Sequence, residues 1–263
     1  MSPLSAGDLC AVRNWLRGHG IARPEDYRDT FLSRRVQARM QAMGLEGVPD
    51  LLRAVDACSK NREAFFQRFF VPTTEFLRNP DVFTEVARLA SQRAPAWGHP
   101  VRVLSAACST GEEAYGIALL LLEKGLDCRV LALDRSRLAL ERVRAGAFEA
   151  RVLSKVDKRL RERYFIHGAV GFKASDELLS RVQPACWDIG GGFPRGPFHI
   201  ALLRNVLIYL TEEAKVRLLG EVARILAPGG FLVLGRTESA GRCVTGDLAP
   251  LDRDKRIYER AFM

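Results

Sequence analysis

The sequence predicts an α/β protein in which a mainly parallel sheet, covered by helices, follows a small helical domain. From about residue 100 onwards, short runs are apolar at nearly every position, as expected of strands buried on both faces. These runs alternate with stretches in which apolar residues have helical spacing. The first 70 or so residues show helical patterns and no strand pattern. With 263 residues the chain has room for two domains, which we expect at residues 1–72 and 73–263.

The helical domain is predicted to contain three helical stretches separated by glycines. Gly20, Gly44 and Gly47 stand where helices are expected to end, because glycine readily adopts the left-handed conformation of a helix terminus. The middle stretch, EDYRDTFLSRRVQARMQAMG, predicts a helix over residues 26–44.

The predicted helix 26–44 carries a basic stripe. At about 100° per residue, Arg28, Arg35 and Arg39 fall within about 40° of one another, and Arg34 lies on a different face. Such a stripe most often marks a solvated helix face, and docking of an acidic partner is the alternative.

Four apolar runs are predicted to form strands of the sheet, namely VRVLSA (101–106), RVLALD (129–134), FHIALL (198–203) and FLVLG (231–235). The segment 211–227 has helical spacing, and APGG at 227–230 is expected to end that helix. The irregular residues at about 166–185 predict a small inserted β-hairpin or subdomain.

Composition narrows the choice of partners and compartment. Forty lysines and arginines against 31 acids give a formal net charge of +9, which favours an acidic protein, a nucleic acid or an anionic membrane surface as a partner.

Apolar runs such as residues 117–122 are far shorter than the ~20 residues of a membrane-spanning helix. No signal-peptide pattern opens the sequence, so we expect a cytoplasmic protein without membrane insertion. The six cysteines form no CxxC pair and are accompanied by four histidines, so no metal site is expected.

The stretch VLSAACSTGEEAYG contains the turn that follows the first predicted strand. This turn has one glycine, Gly111, and is followed by two acids, Glu112 and Glu113. A phosphate-binding turn would have several glycines and no adjacent negative charge. A carboxylate at Glu112 favours a cationic group instead, and Asp134 ends the second strand, where an acid can bind ribose hydroxyls. A ligand with a ribose and a charged amino group, such as S-adenosylmethionine, fits both positions. Acids that only complement the helix dipole are the alternative.

Four motifs follow one another along the chain, namely TEFLR at 74–78, CSTGEEAYGIA at 108–118, RNVLIYL at 204–210 and GRTES at 235–239. Together, and in this order, they resemble the chemotaxis-receptor glutamate methyltransferases, the CheR family. The arginine-rich helical stretch resembles the family's N-terminal helix, so the resemblance covers roughly residues 25–263. It implies a Rossmann-like methyltransferase sheet, S-adenosylmethionine as donor, S-adenosylhomocysteine as product and the glutamate-rich cytoplasmic helices of chemoreceptors as substrate.

Transferred residue by residue, the resemblance implies a donor site, two catalytic residues and a docking surface. Arg78 and Tyr209 are expected to act on the acceptor carboxylate, and Arg78 also to close over the donor. The remaining donor-binding residues that it implies are Thr74, Ala106, Glu112, Asp134, Asp188, Ile189, Arg204 and Asn205. The implied docking residues are Arg28, Arg34, Arg35 and Arg39. Each has a structural alternative as well, such as a core aromatic or a turn-forming residue.

Methyl transfer to a carboxylate needs no general base, because a glutamate with an ordinary pKa of about 4.3 is ionised at neutral pH. Consistent with this, none of the four histidines lies in the motifs. The enzyme would instead align the reacting atoms and exclude water.

Two alternatives stay open at the level of sequence. Pro72 stands where the family usually has an asparagine, which favours a weakly active or inactive adaptor. The basic charge favours a methyltransferase for nucleic acid or a small molecule, although RNVLIY occupies the place of the Asp/Asn-Pro-Pro-Tyr/Phe turn of base methylation, which makes nucleic acid the weaker choice. A shortened loop at 169–171 predicts that no receptor tail peptide is bound, and a monomer is expected.

Overall fold

A computed structural model describes residues 4–70, 75–98, 100–168, 171–240 and 247–261. Its N-terminal part is helical, with α1 (Ala6–Gly18), α2 (Asp29–Met43), α3 (Val48–Asp56) and α4 (Ser59–Phe69). A short 3₁₀ helix at Pro24–Asp26 precedes α2, so the predicted helix 26–44 begins only at Asp29. Gly44 has a left-handed conformation and caps α2, as the sequence predicts.

The helical part has a hydrophobic core of its own. Residues from all four helices, among them Leu16, Val36, Leu51 and Phe65, form one buried cluster. This cluster is separate from the two that cover the faces of the sheet described below. The domain boundary predicted at residue 72 lies outside the described residues.

The other described residues, from 75 onwards, contain two sheets. Their strands are β1 (Val101–Ala106), β2 (Cys128–Asp134), β3 (Ala147–Phe148), β4 (Phe165–Gly168), β5 (Gly171–Ala174), β6 (Val182–Cys186), β7 (Phe198–Leu203), β8 (Leu226–Leu234), β9 (Leu248–Asp252) and β10 (Ile257–Arg260). The four predicted strands correspond to β1, β2, β7 and β8. The helix that APGG at 227–230 was expected to end already ends at Ile225, and residues 227–230 lie within β8.

The main sheet has seven strands in the order β6-β2-β1-β7-β8-β10-β9. Parallel pairing connects β6, β2, β1, β7 and β8, whereas β10 is antiparallel to both β8 and β9. The order confirms the predicted Rossmann-like sheet. From β1 the strand order proceeds to β2 and β6 on one side, and from β7 it proceeds to β8 on the other side. The order therefore reverses between β1 and β7, and α/β sheets bind ligands at the carboxyl ends of the strands at such a switch point.

Helices cover both faces of the main sheet. They are α5 (Pro80–Trp97), α6 (Glu112–Glu123), α7 (Arg137–Ala145), α8 (Lys158–Tyr164), α9 (Asp176–Leu179) and α10 (Glu212–Ile225). Residues of α5, α6 and α7 pack on one face with Val103 and Ile200, while α10 packs on the other face with Leu104 and Leu203. Successive strand residues thus contribute to opposite cores, which explains why these strands are apolar at nearly every position.

A small antiparallel sheet in the order β3-β5-β4 adjoins the main one. The sequence predicts an insertion at about 166–185, but the small sheet begins earlier, at Ala147. The end of that predicted range belongs to β6, which pairs in parallel with β2 of the main sheet.

A short segment joins the helical part to the main sheet. Tyr27 forms an isolated antiparallel bridge with Leu210 after β7. Asp26 accepts two hydrogen bonds from the Arg217 guanidinium of α10, at 3.0 and 2.6 Å, and its carbonyl accepts the N–H of Thr211 at 2.8 Å. These contacts hold the helical part beside the loop that follows β7.

Within the described ranges, no helix is both long and apolar enough to cross a bilayer. The same residues contain no group of three or more His, Cys, Asp or Glu side chains that could hold a metal ion.

We predict that Asp26→Asn destabilises the protein by about 1–3 kcal/mol, because the half-buried Arg217 guanidinium then loses its bidentate carboxylate. Urea unfolding gives the measurement. The control is Glu85→Gln, which removes the more exposed ion pair with Arg88 on α5 and should change the midpoint far less. Equal losses for the two variants would contradict a special role of the Asp26–Arg217 contact.

Candidate functional site

A cavity of about 820 Å³ lies at the carboxyl ends of the parallel strands. One wall comes from the residues that follow β1, β2, β6 and β7. The facing wall comes from the helical part and includes Tyr27, Phe31 and much of α4. Its size falls within the range of about 300–1,000 Å³ that is typical of small-molecule sites.

The turn after β1 is strongly bent because three of its residues have positive φ. Ala107 and Ser109 have φ of 58° and 52°, and Gly111 has φ of 98°. A Cβ at Gly111 would also approach Val143 at 3.1 Å, so a larger residue would be strained at this position. The Cys108 N–H donates to the Leu133 carbonyl at 2.8 Å, which holds the turn against the end of β2.

Asp134 organises the ends of both strands through its carboxylate. One oxygen accepts the Ser109 N–H and the other the Ser136 N–H, each at 2.8 Å. Burial raises the pKa of the Asp134 carboxyl above its ordinary value, and the backbone N–H groups oppose this shift. Each oxygen retains a lone pair, so the carboxylate can accept further hydrogen bonds from the cavity.

The cavity is lined by Ala107 and Glu113, each one position after a residue expected to contact the donor. Ala106 and Glu112 are absent from the lining, as far as the described residues show, and are 2% and 6% exposed. The Glu112 carboxylate accepts the hydroxyl of Thr110, which does line the cavity. A direct donor contact of Ala106 and Glu112 therefore stays a prediction, and Glu113 is a site residue that the sequence interpretation missed.

Arg204 is a buried cation that joins three elements of the site. It donates to the Arg78 carbonyl at 2.6 Å and to the Asn79 side chain at 2.9 Å, and it approaches Glu113 at 3.4 Å. Its guanidinium lies 4.9 Å from the ring centroid of Phe83. Desolvation raises the pKa of Glu113, whereas the Arg204 charge acts to lower it. Arg204 thus fixes the segment before α5 against the end of β7.

The loop after β7 brings Asn205 and Tyr209 to the cavity. Its support is Glu238, a 3% exposed residue of the GRTES motif. The Glu238 carboxylate accepts backbone N–H groups of Asn205, Leu207 and Gly235 at 2.7 Å and of Ile208 at 3.3 Å. We assigned Glu238 no role from the sequence, although it belongs to a motif of the resemblance.

Asp188 and Ile189 also line the cavity, at the end of β6. Asp188 accepts the N–H of Ala22 and that of Gly190, both at 2.9 Å, so it ties the helical part to the sheet. Trp187 also lines the cavity, although we predicted no role for it from the sequence. Its indole N–H donates to the Gly192 carbonyl at 2.8 Å.

Of the two residues expected to act on the acceptor, Arg78 is exposed and Tyr209 half-buried. Both line the cavity. The Tyr209 ring packs against Phe31 of α2 with 4.7 Å between centroids. Thr74, the remaining expected donor contact, lies outside the described residues.

The arginines of the predicted docking stripe differ in their surroundings. Arg28, which precedes α2, donates to the Leu210 and Ile208 carbonyls at 2.9 and 2.6 Å. Arg35 donates to the carbonyls at the end of α4, at 2.8 and 2.7 Å. Arg34 is exposed, and Arg39 is half-buried with its pKa lowered by burial. Two of the four side chains therefore bind backbone carbonyls of this chain, and the docking role of all four stays a prediction.

The family model described as "CheR methyltransferase, SAM binding domain" matches residues 72–248. The "Chemotaxis protein methyltransferase" of Vibrio parahaemolyticus is 31% identical over 227 residues, which cover 81% of this chain and 82% of that protein. The protein of the same name from Klebsiella aerogenes is 30% identical, covering 84% of this chain and 78% of that one.

A further relative is the "Probable biofilm formation methyltransferase WspC" of Pseudomonas aeruginosa, 30% identical over 80% of this chain. The match covers 51% of the length of that relative, and only 25% of a 104.1 kDa protein of Rhodobacter capsulatus that is 28% identical. The chain thus spans about half of the length of the first of these relatives and a quarter of the second.

We predict that Glu238→Gln lowers the unfolding free energy by about 2–4 kcal/mol and weakens binding of S-adenosylhomocysteine. The new amide keeps the volume but turns N–H donors towards the buried N–H groups that the carboxylate now accepts. Thermal unfolding and calorimetry provide the measurements. Glu259→Gln, which affects the ion pair with Arg93 away from the cavity, is the control. A Glu238→Gln protein with unchanged stability would contradict this account.

We predict that affinity for S-adenosylhomocysteine falls on acidification, starting above the ordinary aspartate pKa of about 4. We expect ribose hydroxyls to donate to the ionised Asp134, and its raised pKa means that protonation would remove this acceptor at a higher pH. Asp134→Asn should weaken binding at pH 7.5 by tenfold or so (about 1.4 kcal/mol) and flatten the pH profile. Glu113→Gln is measured alongside, because burial raises the pKa of Glu113 as well. An unchanged profile in Asp134→Asn would refute the assignment.

Proposed function

Because the chain belongs to the CheR methyltransferase family, we propose that it transfers a methyl group from S-adenosylmethionine to glutamate side chains on chemoreceptor helices. The observation that carries this proposal is the shared cavity. Its sheet wall has the position and chemistry of a nucleoside site, and its helical wall contributes arginines that suit an acidic acceptor.

The sheet wall fits the donor. Asp134 offers carboxylate lone pairs to the ribose hydroxyls, and Trp187 and Ile189 offer flat or apolar surface near the end of β6 to the adenine. Glu113 supplies negative charge beside the cavity for a cationic ligand. When bound, the donor supplies an electrophilic methyl group on its sulfonium.

The acceptor side needs no base, so the protein residues position and desolvate an ionised glutamate. The exposed Arg78 has a planar fork that can hold a carboxylate in two hydrogen bonds. Tyr209, set on the rigid loop that Glu238 supports, can donate a further hydrogen bond from its hydroxyl. Arg204 is engaged with the Arg78 carbonyl and Asn79, so its part is to keep the Arg78 segment in place.

The charge at the cavity supports an acidic protein as the acceptor. Arginines of the lining outnumber its acids, and they include Arg62, Arg68, Arg78, Arg137 and Arg142. Two of the lining acids, Asp134 and Asp188, already accept backbone N–H groups and form no ion pair in the described part of the chain. A segment with several glutamates would therefore meet cations that its own side chains can pair with.

The signalling output that the methylation serves can differ from taxis, since the WspC relative carries a name that refers to biofilm formation. The proposed chemistry is the same for either output. A non-catalytic adaptor and another substrate remain as outcomes of the test below; Pro72, on which the adaptor interpretation depends, lies outside the described residues.

The proposal is tested by incubating the protein with S-adenosylmethionine labelled in its methyl group and with receptor-containing membranes. Carboxyl methyl esters release methanol in mild alkali, whereas N-methyl groups do not, so volatile alkali-labile label identifies the product. The label should fall with added salt, because exposed charges are screened. Binding of S-adenosylhomocysteine without transfer would indicate an adaptor, and alkali-stable label would indicate another acceptor.

We predict that Arg78→Ala and Tyr209→Phe each reduce the rate of ester formation by about 10- to 100-fold, equivalent to about 1.4–2.7 kcal/mol of transition-state stabilisation. Each variant loses hydrogen bonds to the reacting carboxylate while affinity for S-adenosylhomocysteine changes much less. Arg88→Ala, on α5 and outside the cavity lining, is the control. Transfer at the parent rate in both variants would withdraw these two roles.

A further inference from the structure

Arg135 directly follows Asp134 and stands between the donor side of the cavity and the helical part. Its guanidinium carbon lies 4.4 Å from the ring centroid of Phe70 and 4.9 Å from that of Phe66. Both rings line the cavity with Arg135. A guanidinium at such distances is attracted by the negative ring faces. These cation–π contacts hold the Arg135 side chain against the helical part.

Arg135 makes this contact although two acids are nearby. Asp134 and Asp188 both influence its ionisation electrostatically, yet their carboxylates accept backbone N–H groups instead. In the portion of the chain that is described, Arg135 forms no ion pair, and its Nη1 atom is buried without a hydrogen-bond partner. The side chain is thus held by aromatic rings rather than by the sheet from which it arises.

The rings beneath Arg135 belong to the end of α4. Phe66 and Phe70 are nearly parallel, with 6.3 Å between centroids, and Phe70 also contacts Tyr27 at 5.6 Å. Helix α4 supplies a large part of the helical wall, namely Ser59, Arg62, Glu63, Phe66, Gln67 and Arg68. The position of α4 therefore determines the shape of the cavity on the side that faces the acceptor.

We propose that Arg135 is a positioning residue that couples occupation of the donor site to the position of α4. A nucleoside bound through its ribose to Asp134 lies beside the next residue of the chain, and contact with Arg135 restrains the guanidinium on Phe66 and Phe70. Helix α4 is then held as the acceptor-side wall. This coupling rests on the proposed function, because the ligand is the methyl donor or its product. By linkage, whatever fixes α4 also strengthens donor binding by the same factor.

Hydrogen–deuterium exchange with S-adenosylhomocysteine as the probe tests the coupling without any acceptor. In the parent protein, saturating probe should slow exchange both in the turn after β1 and in α4, by about tenfold or more at α4. In Arg135→Leu, at equal occupancy of the site, the turn should still be protected and the protection of α4 should be lost. Arg144→Leu removes an exposed arginine of α7 that is outside the cavity lining, and it should behave like the parent.

A second variant guards against a folding defect. Phe70→Leu keeps Arg135 but removes one ring, and it should lower the α4 protection in the same way. Arg135→Lys keeps the charge without the planar fork and should give an intermediate result. In the transfer assay with saturating donor, Arg135→Leu should raise the acceptor KM by about fivefold or more with a smaller change in kcat.

The outcomes show whether the coupling alone fails or whether the proposed function fails with it. Equal α4 protection in the parent and Arg135→Leu would overturn the coupling and leave the function intact. Protection confined to the turn after β1 in the parent would do the same. Absence of probe binding in the parent would overturn both the proposed function and the coupling that rests on it.

Discussion

The cavity depends on carboxylates that accept backbone N–H groups. Asp134 binds the turn after β1 and the start of the segment leading to α7, and Glu238 binds the loop after β7. Asp188 binds Ala22 of the helical part. Because each carboxylate collects donors from separate segments, each fixes loops that the sheet alone would leave unpaired. The three together place the ends of β1, β2, β6 and β7 and the helical part around one space.

This arrangement also sets the charge of the cavity. Asp134 and Asp188 each accept two backbone N–H groups and form no ion pair within the described residues. Arg135 binds aromatic rings and Arg204 binds a carbonyl and an amide oxygen, with Glu113 only at 3.4 Å. Arg204 and Glu113 form an ion pair, whereas exposed arginines such as Arg78 have no ion pair within the described residues, which suits a ligand that brings its own negative charge.

The sequence was sufficient for the parts of the fold that depend on local pattern. The strands that are buried on both faces, β1, β2, β7 and β8, appear as continuous apolar runs, and the order of motifs indicated the family. The sequence pattern was insufficient for β6, which is an edge strand of the main sheet. An edge strand is not buried on every side, and not all of its N–H groups donate to a neighbouring strand, so β6 tolerates Pro184 and shows no continuous apolar run. The predicted insertion at 166–185 consequently includes a strand of the main sheet. Which residues pair with the carboxylates of the cavity was equally hidden, since those partners are backbone groups that any residue supplies.

The arginines of α2 show why a helical wheel does not identify a docking surface. Periodicity states which face a residue occupies, but a side chain as long as arginine can reach carbonyls well beyond its own helix. Arg35 reaches the end of α4, and Arg28 reaches the loop that carries Tyr209. Both therefore connect the helical part with the walls of the cavity. An acidic partner that engaged them would have to compete with backbone carbonyls, whereas Arg34 and the exposed lining arginines Arg68 and Arg78 are open to it at lower cost. For this reason we expect an acidic helix to dock at the cavity and α4 rather than along the full length of α2.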